Sequence, residues 1–410
     1  MRQHVMELLR AGIAAAAPGP AVARAMPDLL AQPLAAGGCW HVVAVGKAAR
    51  AMAAAALEAL QGEPVAEVLV VTNACNDAAL AGARVLQAGH PEPDEAGLAA
   101  ATEIERLLSR AAARDRVLAL ISGGASAMLP APAAGLSLSD LQEVNARLLR
   151  CGADILQTNL IRQQLDRLKG GGWLRLSQAP VHALILSDVP GDDLRVIASG
   201  PTAGPIGGPA DAARVARDLG IWDNLPLSVR TVLARDQAMP DTGPDRNRLI
   251  GSNGQSIAAM VAAGAVKAGL ALQGDVQLCA EGLVALALDA APGMPLAFGG
   301  ETTVRLQGRG MGGRNQELAL RFAVEAERRG LGSGWIFAAM GSDGRDGPGE
   351  AAGGIVGPDS LDLMRAQGID PEDALARNDS TPALAAADAL IVTGATGTNV
   401  ADLAVFLRRA

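Results

Sequence analysis

The chain predicts an α/β fold in two domains, and three observations carry that prediction. Short β-branched runs alternate with longer Ala- and Leu-rich segments of helical period, the pattern of parallel strands covered by helices. At 410 residues the chain is longer than one ordinary core. Glycine-rich strings recur just after the strand-like runs, at the positions where open α/β sheets bind ligands.

In the first half the strands are read at 41–45, 67–72, 116–121 and 182–187, near-continuous apolar runs that suit strands buried on both faces. Helices are expected over 48–61, 95–113 and, as a pair, 139–168, with Ser139 and Glu143 at the start of that pair. The opening residues read as an amphipathic helix rather than a signal peptide, because Glu7 and Arg10 interrupt the apolar stretch. A run of Pro, Asp, Gly and Asn at 238–247 marks the boundary, giving domains at 1–242 and 243–410. Beyond it RLIGS, DVQLCA, TTVRLQ, WIFAAM and ALIVT read as strands. The segments 256–270 and 315–329 and the end of the chain read as helices.

Composition narrows the function. Half of the residues are hydrophobic and 19% are charged, which is globular. Aromatic residues make up 2% with no Tyr, so platforms for stacking bases are lacking, and a net charge of −8 opposes a nucleic-acid partner. No apolar run approaches membrane-spanning length. Cys39, Cys75, Cys151 and Cys279 are scattered without a CxxC pair and read as small buried hydrophobes in a cytoplasmic protein. His4, His41 and His182 show no partner pattern, whereas His90 sits in a Pro-rich loop as a site-facing or structural residue. Of 35 basic residues only Lys47, Lys169 and Lys267 are lysines, which draws attention to lysine beside glycine.

Five strings carry chemistry. In VAVGKAAR, Gly46 and Lys47 precede a helix whose amides would favour an anion; the string is no Walker loop, and a Lys on an exposed first turn is the other reading. In ALISGGASAML, Ser122, Gly123, Gly124 and Ser126 would let backbone amides approach a carboxylate or phosphate. In ILSDVPGDD, Asp188, Asp192 and Asp193 suit Mg²⁺ or a solvated turn, with Asp188 closest to the strand. In the fourth string, Gly308, Gly310 and Gly313 match GxGxxG, but the acidic residue of a dinucleotide site is missing near Ser333. Arg314 and Asn315 offer a fork for an anion instead. The fifth group is Asp343 and Asp346 with Thr396, Gly397, Thr398 and Asn399, read as a nucleotide pocket, a metal edge or plain turns.

Taken in order, VAVGKAA, AGHPEPDE, SGGASAMLPAP, LKGGG, SDVPGDD with IASGPT, GGETTV with GGRNQELAL, GSDGRDGP, NDS and TGATGTNVADL closely resemble the class II glycerate kinases, whose C-terminal region is the MOFRL domain. The resemblance implies an N-terminal Rossmann-like α/β/α sandwich and a C-terminal α/β domain with a mixed sheet, with the active site in the cleft between them. It implies phosphorylation of D-glycerate at the 2-hydroxyl by ATP with Mg²⁺ or another divalent metal, and no nucleic-acid or membrane partner; a homodimer is left open. The family's catalytic lysine and arginine correspond to Lys47 and Arg314, with Asp188 beside them and Asp188 and Asp192 as metal ligands. Ser122, Gly123, Gly124, Ser126, Arg162, Lys169, Asn253, Glu301 and Asn315 form the expected substrate and phosphate set. Gly46, Gly310, Gly312, Gly313, Asp343, Thr398 and Asn399 form the expected nucleotide set. Two departures stand out: IRQQLD puts Gln164 and Asp166 where His and Ser are common, and Ala395 replaces a Pro. A nicotinamide-dependent hydroxypyruvate reductase is the alternative activity.

Overall fold

The computed structural model describes residues 1–409 apart from Cys75 and 236–245. It falls into two compact units, Pro18–Ile250 and a second made of Met1–Ala17 with Gly251–Ala410. The expected division at 242/243 lies outside the described residues. The first helix, Arg2–Ala15, belongs with the second half of the chain, which the sequence reading did not foresee.

The Pro18–Ile250 unit is built on six strands: β1 (Trp40–Val45), β2 (Val65–Thr72), β3 (Arg84–Gln87), β4 (Arg116–Ile121), β5 (Val181–Leu186) and β6 (Asn247–Gly251). Their order is β3-β2-β1-β4-β5-β6, and the pairings from β3 through β5 are parallel. Both faces are covered. Val43, Val45, Val117 and Ile121 pack on one side with Ile104 and Leu108 of the helix Glu95–Arg110. Val42, Ala44, Leu118 and Leu120 pack on the other with Met26 of Pro18–Leu30 and Met52 of Ala49–Ala59. This double burial is why the strands read as unbroken apolar runs. The helices Leu138–Arg150, Ile155–Leu165, Pro209–Asp218 and Leu227–Leu233 form a separate cluster around Leu148, Ile161, Ala212 and Val229. Leu138–Arg150 is started by a capping box of Ser137 and Asp140, not by Ser139.

The other unit holds β7 (Val266–Lys267), β8 (Leu272–Asp275), β9 (Leu296–Thr303), β10 (Trp335–Gly341), β11 (Gly353–Val356), β12 (Leu390–Ile391) and β13 (Asp402–Arg408). The order is β12-β11-β10-β13-β9-β7, with β8 also paired to β9; β7 and β8 run parallel to β9 and the remaining pairs are antiparallel, so the sheet is mixed. Phe298, Phe337 and Phe406 pack with Phe322 of Arg314–Arg328 on one face, and the Phe322 and Phe337 rings stack at 4.1 Å. Val5, Leu8 and Leu9 of the first helix, with Met260 of Asn253–Ala262, cover the other face.

Four expectations need correction here. The chain ends in the central strand β13 rather than a helix, because an apolar run buried on both faces has no periodicity that separates strand from helix. DVQLCA begins the helix Val276–Asp289, capped by Asp275 through the Gln277 amide at 3.0 Å. Lys267 lies in the short strand β7, not in a helix. Cys151 is exposed and Cys39 half-buried, so only Cys279 among the described cysteines is a buried hydrophobe. Among the described residues no helix is long and apolar enough to cross a membrane.

Candidate functional site

Strand order places the first cluster. In a β3-β2-β1-β4 arrangement the direction of winding reverses between β1 and β4, and the crevice outside their carboxyl ends is where such sheets bind ligands. Val45 is registered against Ile121, so the turns that follow, Gly46-Lys47 and Ser122-Gly123-Gly124, lie side by side. The Lys47 amide donates to the Gly123 carbonyl at 2.9 Å, and the Ala48 amide donates to Ser122 Oγ at 3.1 Å. Gly46 has φ 115°, and a Cβ there would lie 2.4 Å from the Ser122 carbonyl, so only glycine allows this approach. The Lys47 side chain is exposed at the start of Ala49–Ala59, a helix without a side-chain cap.

Asp188 follows β5, next to β4. A Cβ on Gly123 would fall 2.1 Å from Asp188 Oδ2, so the carboxylate rests in the space the missing side chain leaves. Asp192 is half-buried in a turn at φ 55°, whereas Asp193 is taken by Arg195 at 2.7 Å. His90 meets Gly124 from the other side; desolvation and then the charge of Lys47 hold its imidazole below the usual value.

A cavity of about 700 Å³ opens beside these turns, lined by His90, Gly124, Ser126, Arg162, Asp166 and Lys169 among others. Its two cations differ. Lys169 is buried and paired with Asp166, which also accepts from the Ala131 and Leu168 amides at 3.0 and 2.9 Å. The departure at Asp166 is thereby explained: it supplies the partner for Lys169. Arg162 donates Nε to Asn145 Oδ1 at 2.7 Å and meets no carboxylate among the described residues. Desolvation holds its guanidinium below the ordinary value, which marks a cation short of a counter-charge. Ser126 Oγ lies 2.7 Å from Ser199 Oγ, whose turn holds Ala198, Ser199 and Gly200 all at positive φ. The glycines after Lys169 tie to that turn, Gly170 to the Ser199 carbonyl and Gly171 to the Gly200 carbonyl.

The second cluster lies in the other unit. Arg314 opens its helix and grips Asp402 with Nε at 2.6 Å and Nη2 at 2.9 Å, while Nη1 meets Glu301 at 2.6 Å. These carboxylates hold the guanidinium above its ordinary range, and burial pushes the Asp402 carboxyl up to about 6 despite the cation. Asp402 was missed in the sequence; a lone acid opening the apolar run DLAVFL was the signal. Asp346 caps the same helix, accepting from the Asn315 and Gln316 amides at 3.0 and 2.8 Å, and the Asn315 side chain donates to it as well.

Several expected ligand contacts are occupied by the chain itself. Asn253 donates its amide to the Val400 and Asp402 carbonyls, both at 2.9 Å. Thr398 is buried and donates to the Ala16 carbonyl at 2.7 Å. Gly308, Gly310, Gly312 and Gly313 give room to Arg377, Asp379, Ser380 and Asp346 respectively. The GxGxxG match thus lies in the link between β9 and the helix Arg314–Arg328, where its glycines make room for the chain itself. Asp343 accepts from the Arg345 amide at 3.0 Å, and Asn399 from the Ala401 amide at 3.2 Å.

A Rossmann-ordered sheet has glycine turns at its reversal point, beside a cavity whose Arg162 meets no carboxylate among the described residues; this is the class of α/β fold that binds small ligands at its strand ends. Residues 4–234 match a domain of unknown function (DUF4147), and residues 294–402 match the MOFRL family. A D-glycerate 2-kinase of Thermotoga maritima is 36% identical over 423 residues, spanning 99% of this chain and 98% of the relative. A provisionally named hydroxypyruvate reductase of Agrobacterium vitis is 38% identical over 426 residues, spanning 99% and 94%. The crystal structure of a glycerate kinase from Thermotoga maritima superposes with a TM-score of 0.89 at 34% identity, covering 98% of each chain. The chain belongs to the glycerate kinase family that carries the MOFRL domain.

Proposed function

We infer that the protein transfers the γ-phosphoryl group of ATP to the 2-hydroxyl of D-glycerate, giving 2-phosphoglycerate and ADP. The observation that carries this reading is the set of Lys47, the Ser122–Gly124 turn and Asp188 at the ends of three adjacent strands, with Gly124 lining a cavity whose Arg162 meets no carboxylate among the described residues.

Arg162 and Ser126 would hold the glycerate carboxylate, with Gly123 and Gly124 allowing the close approach. Lys47 would neutralise charge on the phosphates as the leaving group departs, with Gly46 allowing the close turn that places it beside Ser122. Asp188, seated in the space at Gly123, and Asp192 would hold a divalent metal, a donor set that suits Mg²⁺ because that ion takes one or two carboxylates beside substrate phosphates. A divalent metal held there would supply electrostatic stabilisation of the phosphate charge. The proton of the 2-hydroxyl would pass to Asp188. Arg314, fixed in orientation by Asp402 and Glu301, is the second cation assigned to the transferring phosphate, and Asp343 and Asn399 are assigned to the nucleotide. For Lys169, Asn253, Asn315, Gly310, Gly312, Gly313 and Thr398, the internal contacts support a role in holding these groups in place.

The test is a pair of assays on the purified protein: D-glycerate with Mg-ATP, and hydroxypyruvate with NADH. Nucleotide-dependent formation of 2-phosphoglycerate is expected. Oxidation of NADH without consumption of ATP would overturn the reading.

A further inference from the structure

The geometry points to a structural site for a zinc-class divalent cation at Cys39, His41 and Asp115, at the amino edge of the parallel sheet. Cys39 immediately precedes β1, His41 is its second residue, and Asp115 immediately precedes β4. Trp40 is registered against Arg116, so strand pairing alone brings the three side chains together. The Arg116 amide donates to the Cys39 carbonyl at 3.0 Å and the Cys39 amide to Asp115 Oδ1 at 3.1 Å, which fixes both backbones. His41 and Asp115 are buried and Cys39 is half-buried, leaving one side open. Among the described residues this is the one group of three such side chains whose donor atoms converge.

The three donors converge at the sheet edge. Cys39 Sγ lies 3.7 Å from His41 Nε2 and its thiol donates to Asp115 Oδ1 at 3.4 Å, while His41 Nε2 lies 3.5 Å from Asp115 Oδ2. The last separation is longer than a good N–H···O bond, about 2.7–3.2 Å, so imidazole and carboxylate are gathered without a firm hydrogen bond between them. Two ligands at a tetrahedral zinc, with Zn–S near 2.3 Å and Zn–N or Zn–O near 2.0–2.1 Å, stand about 3.3–3.6 Å apart. The three separations lie close to that spacing, with Sγ facing Oδ1 and Nε2 facing Oδ2 of the one carboxylate. The donor set of one sulfur, one imidazole and one carboxylate fits a borderline ion, and the fourth position would take water. A thiolate and a carboxylate would balance the charge of the cation. These residues lie at the amino ends of β1 and β4, whereas Lys47 and Ser122 follow their carboxyl ends, so the cation would brace the sheet without touching the reaction. Cys39 and His41 are neighbours in the chain, but Asp115 reaches them only through the pairing of β1 with β4, so the group has no local signature.

The test is titration of the metal-free full-length protein with Co²⁺, then Zn²⁺. One equivalent of Co²⁺ should produce a near-ultraviolet thiolate-to-cobalt charge-transfer band that Zn²⁺ abolishes, and Zn²⁺ should raise Tm. The band should survive in Cys151→Ser, vanish in Cys39→Ser, and need at least tenfold more Co²⁺ in His41→Gln. Absence of the band in the wild-type protein, or its persistence in Cys39→Ser, overturns the proposal. Should Cys39→Ser not fold, the wild-type spectrum and His41→Gln decide: no band, or an unchanged Co²⁺ affinity in His41→Gln, rejects the site.

Discussion

Replacing Arg162 with Gln removes a cation whose side chain, among the described residues, bonds to Asn145 and meets no carboxylate, and it leaves the neighbouring Lys169–Asp166 pair in place. If the guanidinium binds the substrate carboxylate, the loss is that of a charge-assisted, forked contact at a half-buried site. Such contacts are worth about 2–3 kcal/mol, which corresponds to about a 30- to 150-fold rise in KM for glycerate. Because the carboxylate is remote from the reacting oxygen, KM should bear most of the change and KM for ATP should move less than about twofold. Arg162→Lys should recover only part of the loss, since an ammonium cannot make the forked contact. The fold should survive: a desolvated cation without a counter-charge costs stability, so Tm of Arg162→Gln should equal or exceed that of the wild type. Steady-state kinetics with each substrate varied, beside a thermal melt, reads all of this. An unchanged glycerate KM with a raised ATP KM would refute the assignment of the cavity to the carboxylate.

Lys47→Met should lower kcat about 10²- to 10³-fold with an unaltered melting curve, because an exposed side chain that stabilises moving charge contributes to the transition state rather than to the core; equal losses of kcat and folded protein in calorimetry would contradict this. Gly123→Ala places a methyl 2.1 Å from the Asp188 carboxylate, so activity should fall by at least tenfold and more than in Gly269→Ala, whose added carbon meets nothing within 4 Å. The Asp402 carboxyl is raised from 3.8 to about 6, so the folded state holds its proton more tightly than the unfolded one. That contribution favours folding at low pH and is lost as pH rises from 3.8 through about 6. Asp402→Asn does not titrate, so its stability relative to the wild type should climb over that interval by at most about 3 kcal/mol, as urea melts at several pH values would read. A difference independent of pH would show that Asp402 titrates alike in the folded and unfolded states. Kinetically, Asp402→Asn frees Arg314 from its bidentate partner and should lower kcat.

How far the sequence revealed the molecule depended on the range of the forces involved. The strands of the first unit were legible because each is an apolar run closed by a turn, and β4 was bounded to the residue. The end of the chain was misread because β13 acquires its strand character from β9 and β10, partners far away in sequence. Lys47, the Ser122–Gly124 turn and Asp188 were found from their position after strands, a local signal. Their adjacency depended on strand order, which the sequence did not contain. Glycine-rich strings proved ambiguous for a physical reason: Gly46 and Gly123 make room at the reversal point of the sheet, whereas Gly308 to Gly313 make room for the backbone of 377–380 and for Asp346. The roles of Asp166, Asn145 and Asp402 were not legible locally, even where the residue stood out, because each matters through a cation it meets by folding.

The central claim is that the Lys47 turn and the Arg162 cavity serve phosphoryl transfer to the 2-hydroxyl of glycerate. Phosphorus-31 NMR of the protein with D-glycerate and Mg-ATP tests it most directly, because the product resonance distinguishes the 2- from the 3-phosphate. The account predicts 2-phosphoglycerate in step with ADP, abolished in Lys47→Met. Formation of 3-phosphoglycerate, or undiminished turnover in Lys47→Met, would contradict it.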